Sequence, residues 1–324
     1  MSALRWGVLS TARINRAIVP ALRASERHAL VAVASRDRAR AEAYASEWDI
    51  PRTYGSYTEL LADPDIDAVY IPLPNALHAE WTVRAAEAGK HVLCEKPLAL
   101  TTSEVDGIAD AAGRAGVVVA EAFMYRHHPQ TLRVKALLDE GAIGELQLIR
   151  SAFTFTLTRP GDVRLDPSLG GGSLWDVGCY PVSMSRYLTG REPRRVSGCQ
   201  RLGPTGIDLS FYGELDFGDM QAQFDCGFTS PLRTRLEVVG SAGAITVTAP
   251  FKPGLEEELT IARDGGVETM RVQGQPLYSG QVNDFAEAVA LGRAPRIPLA
   301  DSRATVATIE ALYRAAREQR MVDM

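Results

Sequence analysis

Two domains of different class are predicted: a doubly wound α/β domain with a parallel sheet over residues 1–122, and an α+β domain over 123–324. Three observations predict them. In the first third, short Val- and Ala-rich runs alternate with stretches of helical length, as in βαβ units. From Glu121 that alternation stops, and strand-like runs succeed one another across turns such as Phe217-Gly218-Asp219-Met220, as in antiparallel hairpins. The chain of 324 residues is also long enough for two cores.

The first strand is expected at 4–9, with a helix at 13–23 behind it. A strand at 28–34 leads to a helix at 38–48, for which Asp37 is the expected N-cap. A short strand near Tyr54 and a helical turn at 56–62 follow. The strand at 68–71 is closed by Pro72-Leu73-Pro74, and the helix at 77–88 by Gly89. The strand at 91–94 runs into Glu95-Lys96-Pro97, where Pro97 has no N–H to continue a ladder. A helix at 103–115 and a strand at 117–120 complete a dinucleotide-type sheet with right-handed crossovers. In the second domain a helix at 129–139 precedes strands at 146–158, 195–199, 210–217, 220–226, 234–240, 244–248, 259–263 and 268–272. A helix starts at Ser173 or soon after, and helices at 281–291 and 301–316 close the chain.

The composition, 46% apolar and 23% charged, is that of a globular protein. No apolar run approaches the roughly 20 residues of a membrane span, and the N-terminal residues lack the pattern of a signal peptide. A net charge of −5 with interspersed signs argues against a nucleic-acid binder. Cys94, Cys179, Cys199 and Cys226 form no CxxC pair. They predict a reduced, cytoplasmic protein in which each is a small buried apolar residue. His127 and His128 have no acidic cluster at ligand spacing, so no metal is expected.

Four stretches carry chemistry. Lys96 follows a buried strand, at the end where open α/β sheets bind ligands. Partly desolvated, it would tune a neighbouring acid or base; a plain surface lysine is the alternative. After the first strand, the positions of a G-x-G-x-x-G fingerprint fall on Ser10, Ala12 and Asn15, so no glycine is present. Small Ser10 and Ala12 still allow backbone N–H groups at the helix start to cradle a pyrophosphate. At the end of the second strand, Ser35-Arg36-Asp37 with Arg40 reads as a 2′-phosphate site, hence NADP rather than NAD. Asp37 alone would suit a ribose, and the arginines could simply solvate a helix face. Finally, Leu169-Gly170-Gly171-Gly172 precedes Asp176 and Tyr180, which share a face if the segment is α-helical. They form an acid–base pair for a carbonyl or alcohol, or else a core aromatic beside a capping carboxylate.

Gly7–Ile14, Pro72–His78, Glu95-Lys96-Pro97, Tyr125-Arg126-His127-His128-Pro129 and Gly170–Tyr180 together resemble the Gfo/Idh/MocA oxidoreductase family over essentially the full length. Within it the chain is similar to the branch of NADP-dependent sugar dehydrogenases, glucose–fructose oxidoreductase and dimeric dihydrodiol dehydrogenase. The resemblance implies a Rossmann domain and a second domain whose large, mostly antiparallel, open-faced sheet assembles homodimers or homotetramers. It implies a catalytic role for Lys96, a substrate-orienting role for Asp176, and Tyr180 as acid/base where the inositol dehydrogenase branch has histidine. NADP is then expected along Ser10, Thr11, Ala12, Arg13 and Ile14, with its adenosine end at Ser35, Arg36 and Arg40. Its middle would pass Pro72, Leu73, Asn75 and His78, and its nicotinamide would reach Glu95, Lys96, Pro97 and Trp175. Tyr125, Arg126, Arg159 and Arg164 are the expected contacts to a sugar, polyol or dihydrodiol. Two other functions stay open: a keto-sugar reductase running the chemistry in reverse, and a non-catalytic NADP-binding sensor.

Overall fold

The computed structural model describes residues 3–324 and divides into two compact units. One runs to Met124 and takes in Tyr278–Arg303; the other comprises Tyr125–Leu277 and Ala304–Met324. The segment 278–303, expected in the second domain, therefore belongs with the first. Its helix places Val282 and Phe285 in the same apolar cluster as Trp6, Leu22 and Tyr70, with the Phe285 ring 5.2 Å from Trp6.

The first unit contains β1 (Leu4–Leu9), α1 (Asn15–Arg23), β2 (His28–Ala34), α2 (Arg38–Glu47), β3 (Arg52–Tyr54), α3 (Tyr57–Leu61), β4 (Ala68–Ile71), α4 (His78–Glu87), β5 (His91–Glu95), α5 (Thr102–Ala115) and β6 (Val119–Ala122). The strands pair in parallel in the order β3-β2-β1-β4-β5-β6. The strand order reverses between β1 and β4, and the carboxyl ends of strands at such a point are where open sheets take ligands. Local chemistry marks the helix ends. Asp37 caps α2, Thr101 and Glu104 form a capping box on α5, and Gly116 ends α5 with φ +66°.

The second unit contains α6 (Pro129–Asp139), β7 (Leu146–Thr156), α7 (Cys179–Thr189), β8 (Arg195–Leu202), β9 (Asp208–Asp216), β10 (Gln221–Gly227), β11 (Thr229–Gly240), β12 (Gly243–Val247), β13 (Glu256–Arg263) and β14 (Gly266–Gln273). Helix α8 (Ser279–Leu291) is the segment held by the first unit; α9 (Leu299–Glu318) and β15 (Val322–Asp323) end the chain. Nine strands form one sheet, ordered β14-β13-β12-β11-β7-β10-β9-β8-β15. Only β7 and β10 run parallel; every other pair is antiparallel. Alternation along β8 and β9 buries Val196, Phe211 and Leu215 on one face and leaves Tyr212 and its cross-strand partner Cys199 exposed on the other. Cys199 is thus not the buried residue expected, whereas Cys94, Cys179 and Cys226 are buried. Among the described residues no helix is long and apolar enough to cross a membrane.

Candidate active site

In the first unit the chemistry gathers at the carboxyl ends of β1, β2, β4 and β5. After β1 the backbone of Ser10 adopts φ +119°, a region that ordinarily demands glycine. A non-glycine residue there costs on the order of 1–3 kcal/mol. Asn15 Nδ2 donates to the Ser10 carbonyl at 2.8 Å, and the Ala12 N–H to Ser10 Oγ at 3.3 Å. Helix α1 carries no side-chain cap at its N-terminus. The turn therefore fits an anion, whose charge would meet the positive end of the helix dipole.

After β2, Asp37 turns its carboxylate into α2: Oδ1 accepts the Arg40 N–H at 3.3 Å, and Oδ2 lies 3.6 Å from Arg40 Nε. The group that would read a ribose is thereby committed to its own helix. Ser35 is buried and accepts the Asp37 N–H through Oγ; Arg36 is exposed, close enough to the Tyr57 phenol to oppose the rise in its pKa caused by burial. Arg40 is exposed beyond its contact with Asp37.

The turns after β4 and β5 are tied together by His78. Its Nδ1 lies 2.7 Å from the Pro97 carbonyl and its Nε2 2.7 Å from the Leu73 carbonyl, with the ring 1% exposed. His78, expected along the nucleotide, clamps two loops in this structure, both nitrogens facing carbonyl oxygens. Burial pushes its pKa down, against the pull of those carbonyls. Pro72 is buried and its carbonyl receives Ser10 Oγ at 3.4 Å; Asn75 begins a short 3₁₀ turn into α4. Glu95 and Lys96 are half-buried, and the Lys96–Pro97 peptide bond is cis. The Tyr70 hydroxyl donates to Glu95 Oε1 at 2.5 Å. Burial first, and then the Glu95 charge, push the phenols of Tyr70 and Tyr278 upward. Sequence reasoning missed these two tyrosines. For Tyr70 the available signal was a phenol within an otherwise aliphatic strand.

In the second unit a π-helical turn over Leu174–Gly178 leads into α7, so the segment is not the continuous α-helix that would align Asp176 with Tyr180. Their neighbours differ accordingly. Asp176 Oδ2 receives Arg164 Nε at 2.6 Å, and Asp162 lies 3.2 Å from the same guanidinium. The Asp176 charge foremost raises the Arg164 pKa. Tyr180 sits among Phe153, Phe251 and Tyr125, with ring centroids 5.1, 5.6 and 5.6 Å away.

The start of this segment hangs on Asp208, which sequence reasoning also missed. Its Oδ2 accepts from Ser173 Oγ at 2.6 Å and the Leu174 N–H at 2.7 Å, and its Oδ1 from the Tyr313 hydroxyl at 2.6 Å. Burial raises its pKa, opposed by those donors. At Gly172 a Cβ would stand 2.4 Å from Asp208 Oδ1, so glycine is required there.

Two of the expected substrate contacts lie deep in the second unit. Tyr125 is 0% exposed with its hydroxyl 3.4 Å from the Tyr180 carbonyl, and Arg126 is 4% exposed, stacked 4.0 Å over Tyr187 and bonded to Ser183 at 3.0 Å. Both brace α7. Trp175 is buried with its ring 5.8 Å from Tyr313, Arg159 is exposed, and Arg164 is half-exposed on Asp176. Among the described residues no cluster of three His, Cys, Asp or Glu side chains could hold a metal.

Both regions of the chain match known proteins. Residues 4–123 match the family model described as an oxidoreductase family with an NAD-binding Rossmann fold, and residues 131–246 match a GFO/IDH/MocA C-terminal domain. A D-xylose 1-dehydrogenase (NADP(+)) of Haloferax volcanii is 40% identical over 99% of this chain and 100% of its own. A 3-ketoreductase from Actinomadura kijaniata, solved with NADP and TDP-benzene, superposes with a TM-score of 0.92 at 31% identity, covering 97% of this chain and 98% of that one. An aldose–aldose oxidoreductase from Caulobacter crescentus, solved with glycerol, superposes at 0.93 with 29% identity, covering 99% and 100%. The ketoreductase has also been solved with one tyrosine changed to phenylalanine and one lysine to alanine.

Proposed function

This chain belongs to the Gfo/Idh/MocA oxidoreductase family, and on that premise we propose that it is an NADP-dependent oxidoreductase interconverting a hydroxyl and a carbonyl on a sugar or polyol. The end-to-end match to an NADP-dependent sugar dehydrogenase carries this assignment. Ser10–Ile14 and the uncapped start of α1 hold the pyrophosphate, and Ser35, Arg36 and Arg40 take the 2′-phosphate. NADP, when bound, supplies or accepts the hydride.

The chain's own side chains manage the proton. Tyr180 exchanges it with the substrate oxygen. A free phenol titrates near about 10, so a cation must stabilise the phenolate if it is to act near neutrality. Lys96 supplies that charge. In support, the lysine and tyrosine altered in the ketoreductase are separated by the same number of residues as Lys96 and Tyr180. Asp176, held by Arg164, orients the sugar. The ketoreductase likeness favours physiological use in the reducing direction as a second reading. The exposed face carrying Tyr212, at 55% exposure, is the surface through which copies assemble.

The test is to follow reduced nicotinamide absorbance against aldoses, polyols, keto sugars and dihydrodiols with both nucleotides. Turnover with NADP and a sugar is expected. In Lys96→Ala and Tyr180→Phe it falls at least about a hundredfold while NADPH still binds, the scale of lost proton transfer. Tight NADPH binding with no turnover on any substrate would make the protein a sensor.

A further inference from the structure

We propose that Asn15 is the positioning residue of the phosphate turn: it holds Ser10 in the conformation a glycine would adopt unaided, and so keeps residues 11–14 shaped for a pyrophosphate. The role presupposes nucleotide binding at this turn.

Ser10 has φ +119°. The other described non-glycine residues with positive φ, Asp49 at 44° and Gln319 at 52°, lie in the left-handed helical well that side chains tolerate. Ser10 lies well outside it, so its surroundings must impose the conformation. They do so from both flanks. The Ser10 N–H is fixed to the Ala34 carbonyl at 3.0 Å, and the Ser10 carbonyl to Asn15 Nδ2 at 2.8 Å. Asn15 is 0% exposed and opens α1, so it does not reach a ligand itself. Positions 10 and 15 are the first and last of the dinucleotide fingerprint, where glycine supplies the tight turn and the close helix packing. Here a strained serine and a buried amide compensate one another. A glycine at 10 would need no anchor, and an alanine at 15 could provide none.

The inference is tested with Asn15→Ala, Ser10→Gly and the double variant of the full chain, using NADPH fluorescence titration and thermal melting without nucleotide. Asn15→Ala should weaken NADPH binding by about tenfold, the value of one buried hydrogen bond, and melt a few degrees lower. Adding Asn15→Ala to Ser10→Gly should change affinity less than about threefold relative to Ser10→Gly itself, because glycine adopts positive φ freely. Equal losses from Asn15→Ala in both backgrounds, or no loss in either, would overturn the inference. Should the single Asn15→Ala variant not fold, a double variant that binds like Ser10→Gly upholds it and a weaker one refutes it. Should the parent chain bind no NADPH, the nucleotide assignment fails by itself. The melting temperatures then still report whether glycine at position 10 removes the need for Asn15.

Discussion

Arg164 directs its Nε at a carboxylate oxygen of Asp176, 2.6 Å away, in the middle of the π-helical turn that leads into α7. The carboxylate that would orient a sugar is itself oriented by an arginine. Removing one partner of a buried pair costs about 3–5 kcal/mol, but the Arg164 side chain is 40% exposed, and screening reduces this to about 1–2 kcal/mol. Arg164→Ala should therefore raise KM for the sugar roughly fivefold to thirtyfold and leave NADPH affinity unchanged. Steady-state kinetics with each substrate varied in turn check this, and a parallel loss of NADPH affinity would refute it.

Nucleotide preference separates Asp37 from Arg36. Because Asp37 caps α2, Asp37→Ala should cost about 1 kcal/mol of stability without shifting the preference for NADP over NAD. Arg36→Ala should do the reverse, weakening NADP about tenfold to a hundredfold through loss of a charge-assisted contact, with NAD little changed. Melting curves and kcat/KM with both nucleotides measure the two effects; a selective loss of NAD use in Asp37→Ala would contradict the assignment.

Acid should unfold the protein below about pH 6.5. His28, His91 and His128 each accept a backbone or indole N–H at Nδ1, from Trp6, Val118 and Gln130, and each has its pKa lowered from 6.5, chiefly by burial. Their folded values lie below the unfolded one, so in that window the unfolded chain binds more protons and stability rises with pH. It is full above the unfolded value and drains as pH falls toward the folded values. Each ring contributes up to about 1.4 kcal/mol per pH unit. Denaturant titrations from mildly acidic to neutral pH would expose a flat profile if the rings were protonated when folded.

Much of the fold was legible in local pattern, since alternating strands and helices, the Asp37 cap and the Gly116 stop depend on neighbours in sequence. Pairing partners do not. The parallel β7–β10 pair joins strands separated by α7, β8 and β9, and nothing in either run encodes its direction. Helix α8 shows an apolar face, yet a face does not name the core it will join. At the candidate site, Lys96 was readable from its strand end. The surroundings of Tyr125, Arg126 and His78 were not legible, because a polar tip says nothing about where it points. Tyr125 and His78 meet backbone carbonyls, and Arg126 meets Ser183 and Tyr187 of α7. Ser10 and Asn15 were seen only as missing glycines, because the compensation between them is a matter of φ and distance.

The wide turn at Leu174–Gly178 has a consequence for how this chain can vary. A bulge of this kind accommodates an extra residue, while the helix beyond it stays regular. Deleting one residue there would swing every side chain of α7 by about 100° around the axis. Tyr180 would leave its aromatic nest and Arg186 would leave Thr305 and Glu192 together. Insertions and deletions should thus be tolerated in the loops before Gly170 far better than within this one turn.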